Sequence, residues 1–273
     1  MEEDHIILKN ITPEQMEIKN KRAISVIIPA KNESELIVDA LRSVSWCDKI
    51  IHVDNGSTDS TIKIVQRYKG ETVRTNLEGF DERKNLGLSY AKTPWVLFLD
   101  ADERITPLLR QEIINIVSKQ NEGGLPGYEI PRKNIYLGKP MSHGGWGNDY
   151  VVRLFRKSHL HGFAGHLHEQ PRVEGEIGRL ANEMIHISHR DLESMVEKTI
   201  VYTEKESALR FKAQHPKLST WRFFRVMITE FVLRFVKLKA PLDGVEGVID
   251  GIFQIFNMYV IYARLYELQI KKI

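Results

Sequence analysis

The sequence predicts an α/β fold: a mostly parallel central sheet with helices on both faces, followed by a helical C-terminal extension. Three observations predict it. Short apolar runs rich in β-branched residues, "AISVIIPA" (23–30), "KIIHVD" (49–54) and "WVLFLD" (95–100), have the length and composition of buried strands. Segments with helical spacing stand between them, and strand–helix alternation at this rhythm means parallel strands joined by crossover helices. From about 191 onward the strand-rich pattern gives way to helical segments.

Taken in order, residues 1–22 read as an irregular or edge-strand lead-in. The first strand, 23–30, passes into "NESELIVDALRSV" (32–44), where Leu36, Ile37, Ala40, Leu41 and Val44 fall at helical spacing. The second strand, 49–54, precedes "STDSTIKIVQRY" (57–68), a loop entering a helix. Ser57, Thr58 and Asp59 lie near its start, and Asp59 is read as its cap. "ETVRTN" (71–76) is a third strand, "DERKNLGLSYA" (81–91) a third helix, and 95–100 the fourth strand. A helix over 107–119 ends in the turn segment "NEGGLPG" (121–127). "YEIPRKNIYL" (128–137), the Gly-rich loop "SHGGWGND" (142–149), the strand "YVVRLFRK" (150–157) and "GFAGHLHEQP" (162–171) follow. A helical stretch over about 191–212 leads into a basic, aromatic C-terminal region. Four parts result: the lead-in 1–22, a first half 23–107, a second half 108–190, and the extension 191–273.

Composition sets bounds on what such a chain does. With 42% apolar and 27% charged residues in 273, it is an ordinary globular sequence. One cysteine excludes intrachain disulfides and any multi-cysteine metal site, and fits a reducing, cytoplasmic compartment. The opening "MEEDHIILKN" is acidic and has no apolar h-region, so no signal peptide is expected. The net charge of +3 is unevenly spread. Arg210 to Ile273 carries 11 Lys/Arg against 5 Asp/Glu, a local +6 that leaves −3 for the preceding 209 residues. A basic tail on a slightly acidic body argues against a nucleic-acid binder.

Ligands of open parallel sheets sit at the C-terminal ends of the strands. Here those ends read Pro29-Ala30-Lys31-Asn32-Glu33, then Asp54-Asn55-Gly56-Ser57, then Asp100-Ala101-Asp102. Any one of them is what a solvated loop looks like; three polar ends on one edge suggest a site. Asp100 and Asp102 would share a face in a continuing strand, and a bend there would turn both carboxylates towards one hard ion. Mg²⁺ or Mn²⁺ takes oxygen ligands and often completes its shell with waters and substrate phosphates. No G-x-G-x-x-G follows the first strand and no Walker A loop occurs, which removes the phosphate cradles of dinucleotide oxidoreductases and P-loop ATPases.

"SVIIPAKNE", "VDNGSTDST", "RKNLGLSYA" and "WVLFLDADERI" together resemble the nucleotide-sugar half of family 2 glycosyltransferases. These are inverting enzymes with a GT-A fold, whose central sheet is Rossmann-like. "PRKNIYLGKPMSHGGWGNDYVVRLFRK" and "GHLHE" further resemble a narrower bacterial group that includes lipopolysaccharide core β-glucosyltransferases. The resemblance implies a UDP-sugar donor, glucose as the hexose moved, and a saccharide acceptor of lipopolysaccharide core or another envelope glycan. Residue by residue it implies that Pro29, Asn32 and Glu33 line the uridine pocket and that Asp54 bonds the uracil or ribose side. Arg83, Lys84 and Asn85 lie where such enzymes approach base, ribose or phosphate. Asp100 touches ribose or metal, and Asp102 is the principal ligand of the Mn²⁺ or Mg²⁺ ion. On this reading 23–107 binds the nucleotide sugar and 108–190 binds the acceptor.

Inversion at an anomeric carbon needs a base for the acceptor hydroxyl and an electrophilic clamp on the leaving phosphate. Two acids of the second half qualify, Asp149 in "GGWGNDY" and Glu169 in "GHLHEQ". Glu169 is preferred, Asp149 stays the alternative, and the other of the two would orient the acceptor. His168 beside Glu169 and Trp146 after two glycines are read as acceptor contacts, Trp146 as a platform for a sugar ring. His166, His168, His186 and His189 offer zinc donors, but "HLHE" lacks the H-E-x-x-H spacing. His186 is read instead as a ligand of the phosphates or of the Asp102 metal. Arg153 and Arg156 read as a half-exposed strand near an anionic group.

"WRFFRVMITEFVLRFVKLK" (221–239) mixes large apolar residues with five Lys/Arg, and the longest uncharged run nearby, Gly251–Ala263, has 13 residues. A spanning helix needs nearer ~20, so a peripheral helix on the inner face of the cytoplasmic membrane is expected. That would suit a lipid-linked acceptor. Packing on the catalytic body or on a second copy of the chain, as a homo-oligomer, is the alternative. Two rival functions remain at this stage: a metal-dependent nucleotidyltransferase, and a non-catalytic glycan-binding protein that keeps a transferase fold.

Overall fold

A computed structural model describes residues 24–119, 124–165 and 169–271. The lead-in over 1–22, His166 and His168 lie outside the described residues. The elements run β1 (Ile24–Ala30), α1 (Ile37–Ser43), β2 (Lys49–Asp54), α2 (Thr61–Arg67), β3 (Glu71–Arg74), α3 (Phe80–Tyr90) and β4 (Trp95–Phe98). Then come β5 (Glu103–Ile105), α4 (Pro107–Ser118), β6 (Gly127–Tyr136), β7 (Lys139–Pro140), β8 (Tyr150–Arg156), β9 (Leu160–Ala164), β10 (Gln170–Val173), β11 (Ile177–Arg179) and β12 (Met184–His189). Three long helices close the chain: α5 (Leu192–Lys212), α6 (Thr220–Phe231) and α7 (Gly244–Ile270).

The chain divides into two compact units. One holds the described residues up to Ile130 together with Val152–Glu183; the other holds Pro131–Val151 and Met184–Ile273. The boundaries between these units fall inside β6 and β8. The reason lies in pairing: β8 runs antiparallel to β4, with Arg156 opposite Trp95, which returns 152–183 to the first unit.

In the first unit the strand order is β3-β2-β1-β4-β8, and the first four are parallel. Register puts Ile27 opposite Ile51 and Phe98, so these residues share one face with Val53 and Val96. Phe98, Phe155 and Phe163 complete that layer edge-to-face. Helix α3 packs there through Gly87, where a Cβ would collide with Ile27 and come within 3.0 Å of Val53. The alternate residues Val26, Ile28, Ile50 and Leu97 are buried as well, so the sheet is covered on both faces. This is the α/β arrangement expected of a GT-A fold.

In the second unit β12 runs parallel to the end of β6, with Ile187 opposite Ile135, and β7 pairs back on β6. Asp191 caps α5 by accepting from the Ser194 N–H at 2.8 Å, and Ser219 caps α6. Helix α7 packs against both α5 and α6. Its core is Tyr136, Met141 and Met195, against which Leu137, Trp146 and Phe253 pack. Ala240–Ile270 is long and apolar enough, at a mean hydropathy of 1.2, to cross a membrane by length and composition.

One expected element is shorter than its pattern. The helix over 32–44 begins only at Ile37. Asn32 sits at φ 55°, and the N–H groups of Asn32, Glu33 and Ser34 are taken by the side chains of Ser57, Thr61 and Asp59. Asn32 is in the left-handed region, which a right-handed helix cannot include, and 33–36 form only the turn that leads into α1, with the Ile37 N–H bonded to the Glu33 carbonyl at 2.9 Å.

Candidate active site

Two loops at the sheet edge are tied together by side chains. Asp54, 2% exposed at the end of β2, accepts from the N–H of Gly56 at 3.2 Å and of Ser57 at 3.1 Å. Asn32 accepts from the Thr58 N–H at 2.8 Å. Asp59 accepts from the Ser34 N–H and from both the N–H and hydroxyl of Thr61. Partial burial works against its charge, but the bonds from Thr61 and then Ser34 outweigh it and hold its pKa at about 2. Ser60, not Asp59, occupies the α2 cap position; Asp59 joins the two loops. Pro29 and Glu33 are half-buried on the same edge.

A cleft of about 320 Å³ opens beside these loops, lined by Asp54, Gly56, Ser57, Arg74, Thr75 and Asn76. The last three come from the end of β3. Sequence reasoning missed them, although the strand-end rule that picked out Asp54 applies equally to "RTN".

The acids after β4 have separate tasks. The chain turns at Asp100, whose carbonyl accepts from the Glu103 N–H at 3.0 Å while its own N–H donates to Glu103 Oε2 at 3.0 Å. Arg153, from β8, donates to the carboxylates of both Asp100 and the fully buried Glu103. Burial alone would disfavour the guanidinium charge, but Asp100 and then Glu103 raise its pKa well above the usual value. Arg153 is therefore buried rather than half-exposed, and its Nε has no hydrogen-bond partner. Arg104 donates to the carbonyls of Ala101, Glu103 and Leu36 at 2.7–2.8 Å and fixes the turn from below. Asp102 is half-buried on the turn itself.

Helix α3 carries the basic group. Arg83 is buried, lying 4.4 Å over the Phe80 ring, and not on a solvated helix face. Lys84 Nζ is 2.5 Å from Glu169 Oε1, with side-chain exposures of 7% and 19%, and lies 5.3 Å over the Phe163 ring. Asn85 uses its amide on the backbone of Phe163, accepting from its N–H at 2.7 Å and donating to its carbonyl at 3.0 Å. Gly162, at φ 104°, leaves room for that amide.

The second unit holds the remaining predicted residues. Asp149 is gripped by Arg132 through two hydrogen bonds of 2.9 Å and by Asn134 at 2.8 Å. Burial works to raise its pKa, but Arg132 and Asn134 outweigh it and keep it below the usual carboxylate value. Asn134 Oδ1 also meets His186 Nδ1 at 2.6 Å. Trp146 packs between Tyr136 and His189, and its Nε1 donates to the buried Asp250 at 2.8 Å. The Gly-rich loop is suspended from the C-terminal segment. Asp243 accepts from the N–H of Ser142 and His143 and from the His143 ring, and Arg234 donates to the Gly144 carbonyl at 2.7 Å.

Among the described residues no three or more His, Cys, Asp or Glu side chains gather as a metal-ligand set. Asp102 is a half-buried carboxylate on the turn and has the oxygen chemistry that Mg²⁺ or Mn²⁺ takes.

The chain is 28% identical to an uncharacterized glycosyltransferase of Rickettsia typhi, over 92% of its length and 89% of that protein. It is 24% identical to the lipopolysaccharide core biosynthesis glycosyltransferase LpsC of Rhizobium meliloti, over 90% of its length and 93% of the other. The crystal structure of S. aureus TarS 1–349 in complex with UDP-GlcNAc aligns at a TM-score of 0.46 and 16% identity, covering 91% of this chain and 92% of that one. Residues 25–168, just over half of the chain, match the Glycosyl transferase family 2 profile. By that match, running through the sheet-edge loops, the Asp100–Asp102 turn and α3, the chain belongs to glycosyl transferase family 2.

Proposed function

We propose that the protein moves a hexose, glucose, from a UDP-sugar to a saccharide hydroxyl of lipopolysaccharide core or another envelope glycan, with inversion. The observation that carries this reading is the cleft at Asp54 on the same strand edge as the Asp100–Asp102 turn. Family membership supplies the reaction class, and the full-length likeness to LpsC supports the acceptor class.

In this reading Asp54, Asn32, Glu33 and Pro29 receive the uridine, with Arg74, Thr75 and Asn76 closing the cleft. Asp102 would hold the divalent ion. When bound, the ion neutralises charge building on the leaving diphosphate. Glu169 takes the proton from the acceptor hydroxyl as that oxygen forms its bond to the anomeric carbon. The bond from that carbon to phosphate oxygen breaks, and UDP leaves with the electron pair. Lys84 keeps Glu169 in position. Asp149, held ionised by Arg132, is a poor proton acceptor, which supports Glu169 as the base. Trp146 and His168 serve the acceptor.

The test is a thermal-shift titration with UDP, GDP and dTDP, with and without Mn²⁺, on wild type and Asp102→Asn. A ligand that binds only the folded state raises apparent stability. A UDP-selective shift that needs Mn²⁺ and vanishes in the variant is expected. Turnover of UDP-glucose, UDP-galactose and UDP-GlcNAc then ranks the sugars. No shift with any nucleotide would sink the reading.

A further inference from the structure

Helix α6 carries an apolar stripe on its solvent side. Trp221, Phe224, Ile228 and Phe231 are 71%, 59%, 56% and 50% exposed, and their spacing of three, four and three residues puts them on one face. The opposite side carries Glu230, which is buried and bonded to Arg234 at 2.7 Å. The stripe is thus the outer face of a helix whose inner face is already packed. Exposed apolar residues continue in Val232, Val236, Leu242 and Val245. Contiguous exposure on this scale marks an interaction surface.

Along the chain from 212 to 245 the exposed charges are of one sign, although Glu267 of α7 lies near the start of α6. Lys212, Lys217, Arg225, Lys237 and Lys239 are exposed and Arg222 is half-exposed. The acids between 212 and 245 are Glu230 and Asp243, each 7% exposed and engaged inside the unit by Arg234 and by Ser142 and His143. No acidic side chain on this stretch balances the six cations at the surface.

We infer that α6 lies in the interface of an anionic phospholipid bilayer. Trp221, Phe224, Ile228 and Phe231 enter the acyl boundary, and the surrounding Lys and Arg meet lipid phosphates. An aromatic-rich apolar face flanked by cations is what an in-plane helix needs. A second copy is the poorer occupant, because a two-fold interface sets the same patch against itself and would bring like charges together. Spanning is also excluded for α6, which continues through Lys237 as a π-helix: Arg222, Arg225, Glu230, Arg234 and Lys237 all lie along it, and charged side chains are costly in a hydrocarbon core. Helix α7 has the length, but polar bonds hold it in the unit: Asn257 to Thr199 at 2.5 Å, Tyr262 to Arg210 at 3.0 Å, and Gln269 to the Leu218 N–H at 3.0 Å. The inference goes beyond the transferase reading and holds whichever sugar is moved.

The experiment is vesicle flotation of the full chain with phosphatidylcholine alone and with about 30% phosphatidylglycerol added. Wild type should float with the anionic vesicles, not the neutral ones, and be released at about 0.5 M salt. Phe224→Glu/Ile228→Glu should abolish flotation. Arg225→Gln/Lys237→Gln/Lys239→Gln should weaken it at least tenfold, since each charge near an anionic surface contributes about fivefold. Both variants change exposed residues, and circular dichroism checks that each keeps the wild-type fold. Equal flotation with neutral vesicles, or no flotation at all, overturns the inference. So does a dimer by light scattering that the Glu variant dissociates while vesicles bind neither form; that result gives the face to a second copy.

Discussion

Glu169 and Asp149 are both carboxylates paired to a cation, and the quality of the pairing separates them. Asp149 receives two bonds from Arg132 and a third from Asn134, whereas Glu169 meets Lys84 through one oxygen. Glu169→Gln should therefore lower turnover by about 10²–10⁴-fold and leave the melting temperature close to wild type. Asp149→Asn should cost about 1–3 kcal/mol by stranding Arg132, with activity falling only as stability does. Kinetics and thermal melts on the two variants decide it, and the reversed pattern would hand the base to Asp149. The residue scale is also where sequence reading reached least. "DADER" announced a cluster of acids, but nothing local separates the fully buried Glu103 from its neighbours. Its partner Arg153 lies 50 positions away, and the one hint was an arginine inside an otherwise apolar strand. Arg83 and Asn85 were legible as a motif, yet their contacts with Phe80 and Phe163 are tertiary facts that periodicity does not encode.

At the scale of elements, two positions make the sheet sensitive to single changes. Gly87 lets α3 approach β1 and β2, and Gly87→Ala would push a methyl into Ile27. Overpacking of this kind costs about 1–3 kcal/mol, and the better helix propensity of alanine returns about 1 kcal/mol of it. A net loss of stability in urea unfolding is expected; a variant more stable than wild type would contradict the close approach. In β2, His52 is fully buried between Thr72 and the Ala30 carbonyl, and burial lowers its pKa from the ordinary 6.5, with the Ala30 bond a lesser opposing influence. The folded protein holds this ring neutral, so its contribution is complete above 6.5 and is lost as pH falls through the lower folded value. Melting temperature should drop on acidification below about pH 6.5, and His52→Gln should flatten that slope. Strand and helix order were legible because burial on both faces writes continuous apolar runs. The start of α1 was not, because the left-handed conformation of Asn32 is held by Ser57 and Thr58, some 25 residues on.

For the whole molecule, the prediction concerns dependence on a divalent ion. On the proposed reading Asp102 and the substrate's phosphates would share the ion, so it should bind weakly alone and tightly with the nucleotide diphosphate. Chelation should abolish transfer, and Mn²⁺ or Mg²⁺ should restore it. Calorimetry should find Mn²⁺ affinity rising when UDP is present. Full activity in excess chelator would remove the ion from the reaction. The division into units also belongs to this scale. The compact units divide within β6 and β8. A pattern change marks where secondary structure alters, and contacts between distant strands are invisible to it.

The loops at the end of β1 and β2 have one further consequence. Asp54, Asn32, Ser57, Asp59 and Thr61 already hold the backbone of both loops by hydrogen bonds within the protein. A cleft built this way is rigid before anything enters it, so little conformational entropy is left to lose on association. If the cleft takes the uridine as proposed, discrimination between uracil and other bases depends on shape and on matched donors and acceptors, with no reshaping of the loops to rescue a poor fit. Tight inhibitors of this site should accordingly be stiff molecules that copy the bound outline.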